Sequence, residues 1–400
     1  MASGNHPSIT RRDLLVGGSA TIAGTAIGGS VGWLAGGKEQ APPPASGNLI
    51  NCHGEHQAGI EMPNQALVNF IALDLKATTT RSEMPGWMEL LTQDIESLTS
   101  ANPTLADPSP ELARSESNLT VTVGFGPSMF EKLALGHLAP PNFAQIPKLA
   151  IDALRDEYSG GDVLIQVASN DPLALSNATR TLVRDSEYFA AVRWIQTGFS
   201  GKPIKGEGHS RNLMGQIDGT DNPELGSADF ENLVWINGSP TWLRGGTQMV
   251  IRRIRMKLDM WDSLGREQKE AAIGRKLTNG APLGSDRISD PPNFSLKQAN
   301  GMLAIPEVAH IRRASSQNLT ERFFRRPFNY SVQESPNEAA DAGMLWVAYA
   351  KDLRTQYLPV QQRLAEFDLL NLWTEPIGSA VFAVPGGFRS GEFLAERLFT

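Results

Sequence analysis

Two series of apolar runs, alternating between strand and helix spacing, flank a glycine-rich stretch that can be neither. The first series opens with the strand Ala66–Leu75 and the helical Met84–Leu98. The strand Leu119–Phe125 follows, then a short helix through Leu135 that Ser128 can cap. Asp162–Ala168 is a strand, Pro172–Arg184 a helix and Val192–Gln196 a further strand. The second series opens with Thr247–Leu258, a strand with charges on alternate positions, and a helix within Asp259–Leu277, with Ser263 and Glu267 near its start. After a polar, loop-like stretch from Leu277 to Pro292 come the strand-like Phe323–Val332, the strand Gly343–Ala350, the helical Leu353–Leu370 and the last strand, Ser379–Val384. This order predicts an α+β fold of two ferredoxin-like domains with antiparallel sheets. A doubly wound parallel sheet is the rival. No G-x-G-x-x-G opens a helix after the first strand, which weakens it. Two similar series in halves of similar length also suggest a duplicated module.

Composition narrows the chemistry. The 400-residue chain is 40% hydrophobic and 20% charged, as expected of a globular protein with one or two domains. A net charge of −7 gives no reason to expect a nucleic-acid partner. The single cysteine, Cys52, excludes an intramolecular disulfide and any Cys-based zinc or iron–sulfur site. With six histidines, a multi-histidine metal cluster would use most of them, whereas a metal held by one histidine is open. His53 and His56 are three apart and could ligate a metal, but hydrogen bonding in a loop is the commoner fate of such a pair.

The N-terminus reads as a targeting segment. Thr10-Arg11-Arg12-Asp13-Leu14-Leu15 carries twin arginines before a small, weakly apolar run that lacks charge between Asp13 and Lys38. A membrane anchor is the alternative, but the twin-Arg pair favours a Tat-type signal and hence the Tat export machinery as a partner. Ala41–Ala45 is a proline-rich linker. The expected organisation is a signal and linker over 1–47, an N-terminal domain over 48–205 and a C-terminal, cofactor-binding domain over 206–400.

The glycine-rich stretch is Arg211–Pro223, RNLMGQIDGTDNP. Gly215 and Gly219 bracket Asp218, so the backbone can take positive φ and come close to another body. Taken alone this is an Asx-type turn. His310 (in AHIRR), Arg325 (in FFRR) and Asp368 (in FDLL) likewise have ordinary explanations when taken singly. Together they fit one chemistry. His310 could supply the axial nitrogen of a haem iron, with Asp368 on its other ring nitrogen. On the opposite face a carboxylate, Asp218, could move a proton between the two oxygens of a peroxide. A fixed cation, Arg325, would lower the cost of developing charge. Arg211 and Arg312 are candidate partners for the haem propionates. Gly219 would let the backbone approach the cofactor. A calcium loop around Asp218 and Asp221 is a weaker reading, because the spacing lacks the alternation of an EF-hand.

The chain resembles the dye-decolorizing peroxidases across nearly all of the region after the signal. The resemblance is carried by GEHQAGI (54–60), LTVTVGFGPSMF (119–130), RNLMGQIDGTDNP (211–223), HIRR (310–313), FFRR (323–326) and the ending FDLLNLWTEPIGSAVFAVPGG (367–387). Gly215–Gly219 match the family's G-x-x-D-G element. The twin-Arg signal and the RNLMG lead-in are most similar to the exported branch, which includes the periplasmic iron-uptake haem peroxidases.

The resemblance implies haem b bound mainly by the second domain. It also implies His310 as proximal ligand to the iron, Asp218 and Arg325 as distal catalytic residues, and Asp368 as the partner of His310, a role for which Asp352 competes. Two departures stand out: Pro327 replaces an Asn that many members carry two places after the distal arginine, and Gln216 and Ile217 replace aromatic or basic residues inside the bracket. The expected activity is peroxidation of organic donors such as dyes and phenolics by hydrogen peroxide through an oxoferryl intermediate, in the periplasm or outside the cell. Trp373 and Tyr349 are candidate electron relays, though core packing explains them better. The alternative is an exported haem- or iron-handling protein of iron acquisition, deferrochelatase-like. A homo-oligomer stays open.

Overall fold

The computed structural model describes residues 48–400, apart from 106, 115, 202–209, 317, 334–336, 338 and 339. The expected signal and linker, and the expected domain boundary between 205 and 206, lie outside the described residues. Among the described residues no helix is long and apolar enough to cross a membrane.

The first half runs β1 (Leu67–Leu75), α1 (Met84–Thr99), β2 (Thr120–Phe125), α2 (Pro127–Lys132), β3 (Val163–Ser169), α3 (Pro172–Ser186) and β4 (Ala190–Phe199). β1 pairs antiparallel with β3 and with β4, and β3 pairs with β2, giving the spatial order β2-β3-β1-β4. The second half runs α4 (Ala228–Val234), β5 (Thr247–Met256), α5 (Leu258–Asp262), α6 (Arg266–Ile273), α7 (His310–Ala314) and β6 (Phe324–Arg325). It continues with β7 (Phe328–Val332), β8 (Asp341–Ala350), α8 (Leu358–Phe367), β9 (Thr374–Val384) and α9 (Glu396–Phe399). β5 lies between β9 and β8, and β8 carries β7 and the short β6 on its far side. The order β9-β5-β8-β7 repeats that of the first half, the ferredoxin-like arrangement. Single pairs, Phe125 with Ala383 and Phe199 with Asn329, join the two arrays at both edges and close the strand pairings into a circuit.

Strand alternation explains how the core divides. Along β1, Val68, Phe70 and Ala72 point between the two arrays, where they meet Met249, Val347 and Phe382. Ile71, Leu73 and Leu75 point the other way, against Trp87, Leu91 and Leu182 of α1 and α3. Both faces of the strand are therefore covered. α1 is held because Met84, Trp87, Met88, Leu91, Ile95 and Leu98 recur every three or four residues on its buried face. α3 starts where the Asp171 carboxylate accepts from the backbone N–H groups of Leu173 (2.7 Å) and Ala174 (3.0 Å), with Pro172 in the first turn.

The structure departs from the sequence reading locally. Ser128 lies inside the first turn of α2 and does not cap it; Gly126 holds that place without a side-chain bond. The helix expected in 259–277 is two, α5 and α6, and the second begins where Gln268 Oε1 accepts from Gly265 N (2.9 Å). The strand expected over 323–332 is broken between β6 and β7 by Pro327, which has no N–H to give to a ladder. Two of the charges of β5 are buried. Arg252 is buried against Asp152. Arg253 lies between the rings of Tyr158 and Tyr330 (4.3 and 3.8 Å) and donates to Asp341 (2.7 Å).

Candidate active site

The turn bearing Asp218 is built by its own backbone. Asn212 N donates to Gln216 O (2.9 Å), Gly215 N to Asn212 O (3.0 Å), and Arg211 faces Ile217 in a two-residue bridge. Gly215 and Gly219 both have φ of 81°, the left-handed region that costs side-chain-bearing residues. The positive φ at both ends projects Asp218 out of the turn. Its Oδ1 accepts from Gly219 N (2.7 Å).

His310 opens α7, and Asp368 follows α8. Asp368 Oδ2 meets His310 Nδ1 at 2.6 Å, while Oδ1 accepts from Leu370 N (3.0 Å) and so caps the next turn. Leu369 N donates to Val308 O (2.9 Å), tying the two segments together beside that pair. The Asp368 side chain is 4% exposed and that of His310 33%, because the free edge of the ring faces a cavity. Burial pulls the His310 pKa down, but the charge and hydrogen bond of Asp368 outweigh it and the net direction is up. Asp352 does not compete: its Oδ1 accepts from Arg354 N (2.9 Å).

The cavity has a volume of about 500 Å³, within the range of cofactor sites. Asp218, Gly219, His310, Arg325 and Asp368 all line it. Its other walls mix apolar side chains, Ile217, Ile254, Met256, Met344, Trp346 and Leu370, with polar ones, Asp221, Asp290 and Glu321 among them. All of its lining comes from 212–376 except Ile151. Arg325 and its neighbour Arg326 point to opposite sides of β6, as strand alternation requires. Arg326 is buried and donates to Gly59 O (3.1 Å) and Pro63 O (3.2 Å), and burial pushes its pKa down to about 10. Arg325 is half-buried at the cavity.

Two of the expected cofactor residues are elsewhere. Arg211 spends its guanidinium on three carbonyls, Gly215 (2.7 Å), Leu277 (2.6 Å) and Thr278 (2.8 Å), and is not part of the cavity wall. Arg312 donates to Phe294 O (2.6 Å) and Ile305 O (2.7 Å), over the Phe294 ring, and is also outside it. Both guanidinium groups are taken by backbone carbonyls that the fold brings within reach, some of them far along the chain. Three basic residues that sequence reasoning missed line the cavity: Lys276 meets Asp286 (3.1 Å), Arg322 meets Asp229 (2.8 Å), and the third is Arg275. It lines the cavity, donates only to carbonyls, Gly280 (2.8 Å) and Ile288 (3.4 Å), and burial lowers its pKa. No local pattern marks it, since it sits just beyond α6 among polar residues. Gln216 and Ile217 both line the cavity, whereas the Pro327 carbonyl is taken by Asn64 (3.0 Å).

His53 and His56 are loop hydrogen-bonders. His53 meets Glu96 (2.7 Å), and His56 meets Gly245 O (2.6 Å) and stacks on Trp235. Among the described residues no group of three or more His, Cys, Asp or Glu is placed to hold a metal ion, around Asp218 and Asp221 or elsewhere.

This arrangement fits a haem. It offers one imidazole whose Nδ1 is taken by a buried carboxylate, leaving Nε2 for a metal, beside a chamber with an apolar portion and the guanidinium groups of Arg275 and Arg325 in its lining. Comparison with known proteins agrees. Residues 57–200 match the N-terminal model of Dyp-type peroxidases and 209–389 the C-terminal model. The chain is 34% identical to a dye-decolorizing peroxidase of Thermobifida fusca over 97% of each chain. It is 32% identical to a deferrochelatase of Yersinia pestis over 86% of this chain and 84% of that one. Among solved structures, a DyP-type peroxidase from Cellulomonas bogoriensis superposes with a TM-score of 0.85 at 44% identity, over 90% of this chain and 99% of that one. Ferric DtpA from Streptomyces lividans gives 0.85 at 34% identity, over 89% and 98%.

Proposed function

The chain belongs to the Dyp-type peroxidase family and is a haem peroxidase, and from that premise we propose how its own residues divide the work. His310 holds the iron through Nε2, with Asp368 fixing the ring and making it a stronger donor. Haem, when bound, would supply the redox chemistry for two-electron cleavage of peroxide and one-electron oxidation of an organic donor. Asp218 removes the proton from one peroxide oxygen and returns it to the other, which leaves as water. Arg325 donates to the charge that builds on the departing oxygen. Arg275 replaces Arg211 and Arg312 as the basic partner for a haem propionate. The observation that carries this reading is the convergence of Asp218, His310, Arg325 and Asp368 on one cavity, with the 2.6 Å bond orienting the imidazole. Haem binding falls to the C-terminal domain, 206–400.

Dyes and phenolics are the proposed donors. Tyr349 is fully buried and donates to Gln166 (2.8 Å), which suits packing better than relay. Trp373 is partly exposed and stacks edge-on with the buried Trp261 (5.4 Å), so it is the better relay candidate of the two. The twin-Arg segment supports export by the Tat route to the periplasm or beyond. The deferrochelatase relatives favour a second reading, removal or handling of haem iron in iron acquisition. Turnover of peroxide with a phenolic donor, measured beside iron release from haem, separates the two.

The central test is His310→Ala. The variant is expected to purify with little haem and an altered Soret band. Full occupancy with an unchanged spectrum overturns the ligand assignment.

A further inference from the structure

β6 is two residues long and is flanked on only one side by a strand. Arg325 pairs with Ala348 of β8, and among the described residues no strand lies on the other side. The exposed edge is taken by one side chain. Asn222 Oδ1 accepts from Arg325 N (3.0 Å), and Asn222 Nδ2 donates to Arg325 O (2.7 Å). A side-chain amide has the same donor and acceptor as a peptide, so Asn222 pairs with Arg325 as a neighbouring strand would. The same Oδ1 also accepts from Arg325 Nε (3.3 Å). Backbone and guanidinium are thus fixed by a single amide, and it leaves the two terminal nitrogens of the guanidinium for the cavity.

We propose that Asn222 is the positioning residue for Arg325, setting the direction in which its guanidinium enters the cavity. This rests on the reading of Arg325 as the group that meets peroxide. Asn222 is not part of the cavity wall, so it acts through Arg325 and not on the ligand. It stands four residues after Asp218 in the same turn, where Asn222 N donates to Gly219 O (3.2 Å). The carboxylate and the cation come from segments about a hundred residues apart, and this amide couples them, so their relative placement does not depend on β6 alone. Pro327 keeps β6 short, so beyond its pairing with β8 the arginine is held on its free edge by Asn222.

Fluoride binding to the ferric haem protein tests this without turnover, because fluoride is an acceptor that a well-placed distal cation stabilises. Affinities are measured by absorbance for the wild type, Asn222→Ala, Arg325→Leu and the double variant, with haem content and Tm as controls. Asn222→Ala is expected to weaken fluoride about tenfold, the size of one lost charge-assisted hydrogen bond, and to add nothing in the Arg325→Leu background. An equal effect in both backgrounds, or an affinity in Asn222→Ala within about twofold of wild type, overturns the proposal. If Arg325→Leu alone leaves fluoride unchanged, it is the role of Arg325 that fails. Should Asn222→Ala not fold, Asn222→Asp is judged by the same cycle: its effect must vanish when Arg325 is leucine.

Discussion

Asp368 divides its two oxygens between two tasks, 2.6 Å from His310 Nδ1 through Oδ2 and 3.0 Å from Leu370 N through Oδ1. The second bond holds the carboxylate still while the first orients the ring. Asp368→Asn keeps the shape but removes the charge that makes the imidazole a strong donor. We expect haem to be retained and peroxide turnover to fall about 10- to 100-fold, the usual cost of losing such an outer partner. Unchanged kcat with an unchanged ferric spectrum would show that the pair only supports the fold.

Asp218 and Arg325 make separable contributions. Asp218→Asn cannot take a proton, so stopped-flow absorbance should show the first reaction with peroxide slowed about 100-fold or more. Arg325→Leu should slow the same step about 100-fold through lost charge stabilisation. A normal first step in Asp218→Asn beside a slow one in Arg325→Leu would make the arginine the main catalyst.

The adjacent arginines Arg325 and Arg326 should fail in opposite ways. Arg326→Met strands the carbonyls of Gly59 and Pro63 and should lower Tm by several degrees while leaving peroxide kinetics intact in the folded fraction. Arg325→Leu should do the reverse. Similar kinetic losses in both would mean that the reach of Arg325 depends on the packing behind it.

Only part of this was legible in the sequence. Apolar periodicity located most strands and both large helices within a few residues. The glycine bracket around Asp218 was visible because positive φ leaves a compositional trace. The destinations of Arg211 and Arg312 were not. A guanidinium goes to whichever carbonyls the folded loops bring near, and nothing in HIRR or RNLMG records Phe294 or Thr278. The clamp of Asn222 on Arg325 was hidden for the same reason, being a side-chain bond across 103 residues. The burial of Arg252 and Arg253 on β5 also escaped. Adjacent charges fall on opposite faces of a strand, and that both are buried follows only once the acidic partners, Asp152 and Asp341, are known to lie opposite.

Far from the cavity, Asp94 of α1 is buried facing Asp185 of α3, with Arg184 nearby, and among the described residues its Oδ2 has no hydrogen-bond partner. Burial, then the charge of Asp185, pushes its pKa up from 3.8 to about 7. The folded protein therefore keeps this proton across a range where the unfolded chain has released it. Between the two values the folded state binds more protons, so this group's contribution to stability declines as pH rises from about 4 to about 7 and stays lost above that. Asp94→Asn removes the titration while keeping the shape. The variant should match the wild type in Tm near pH 4 and exceed it by an increasing margin up to pH 8. A Tm difference that does not change with pH would mean that Asp94 is already ionised in the folded protein across that range.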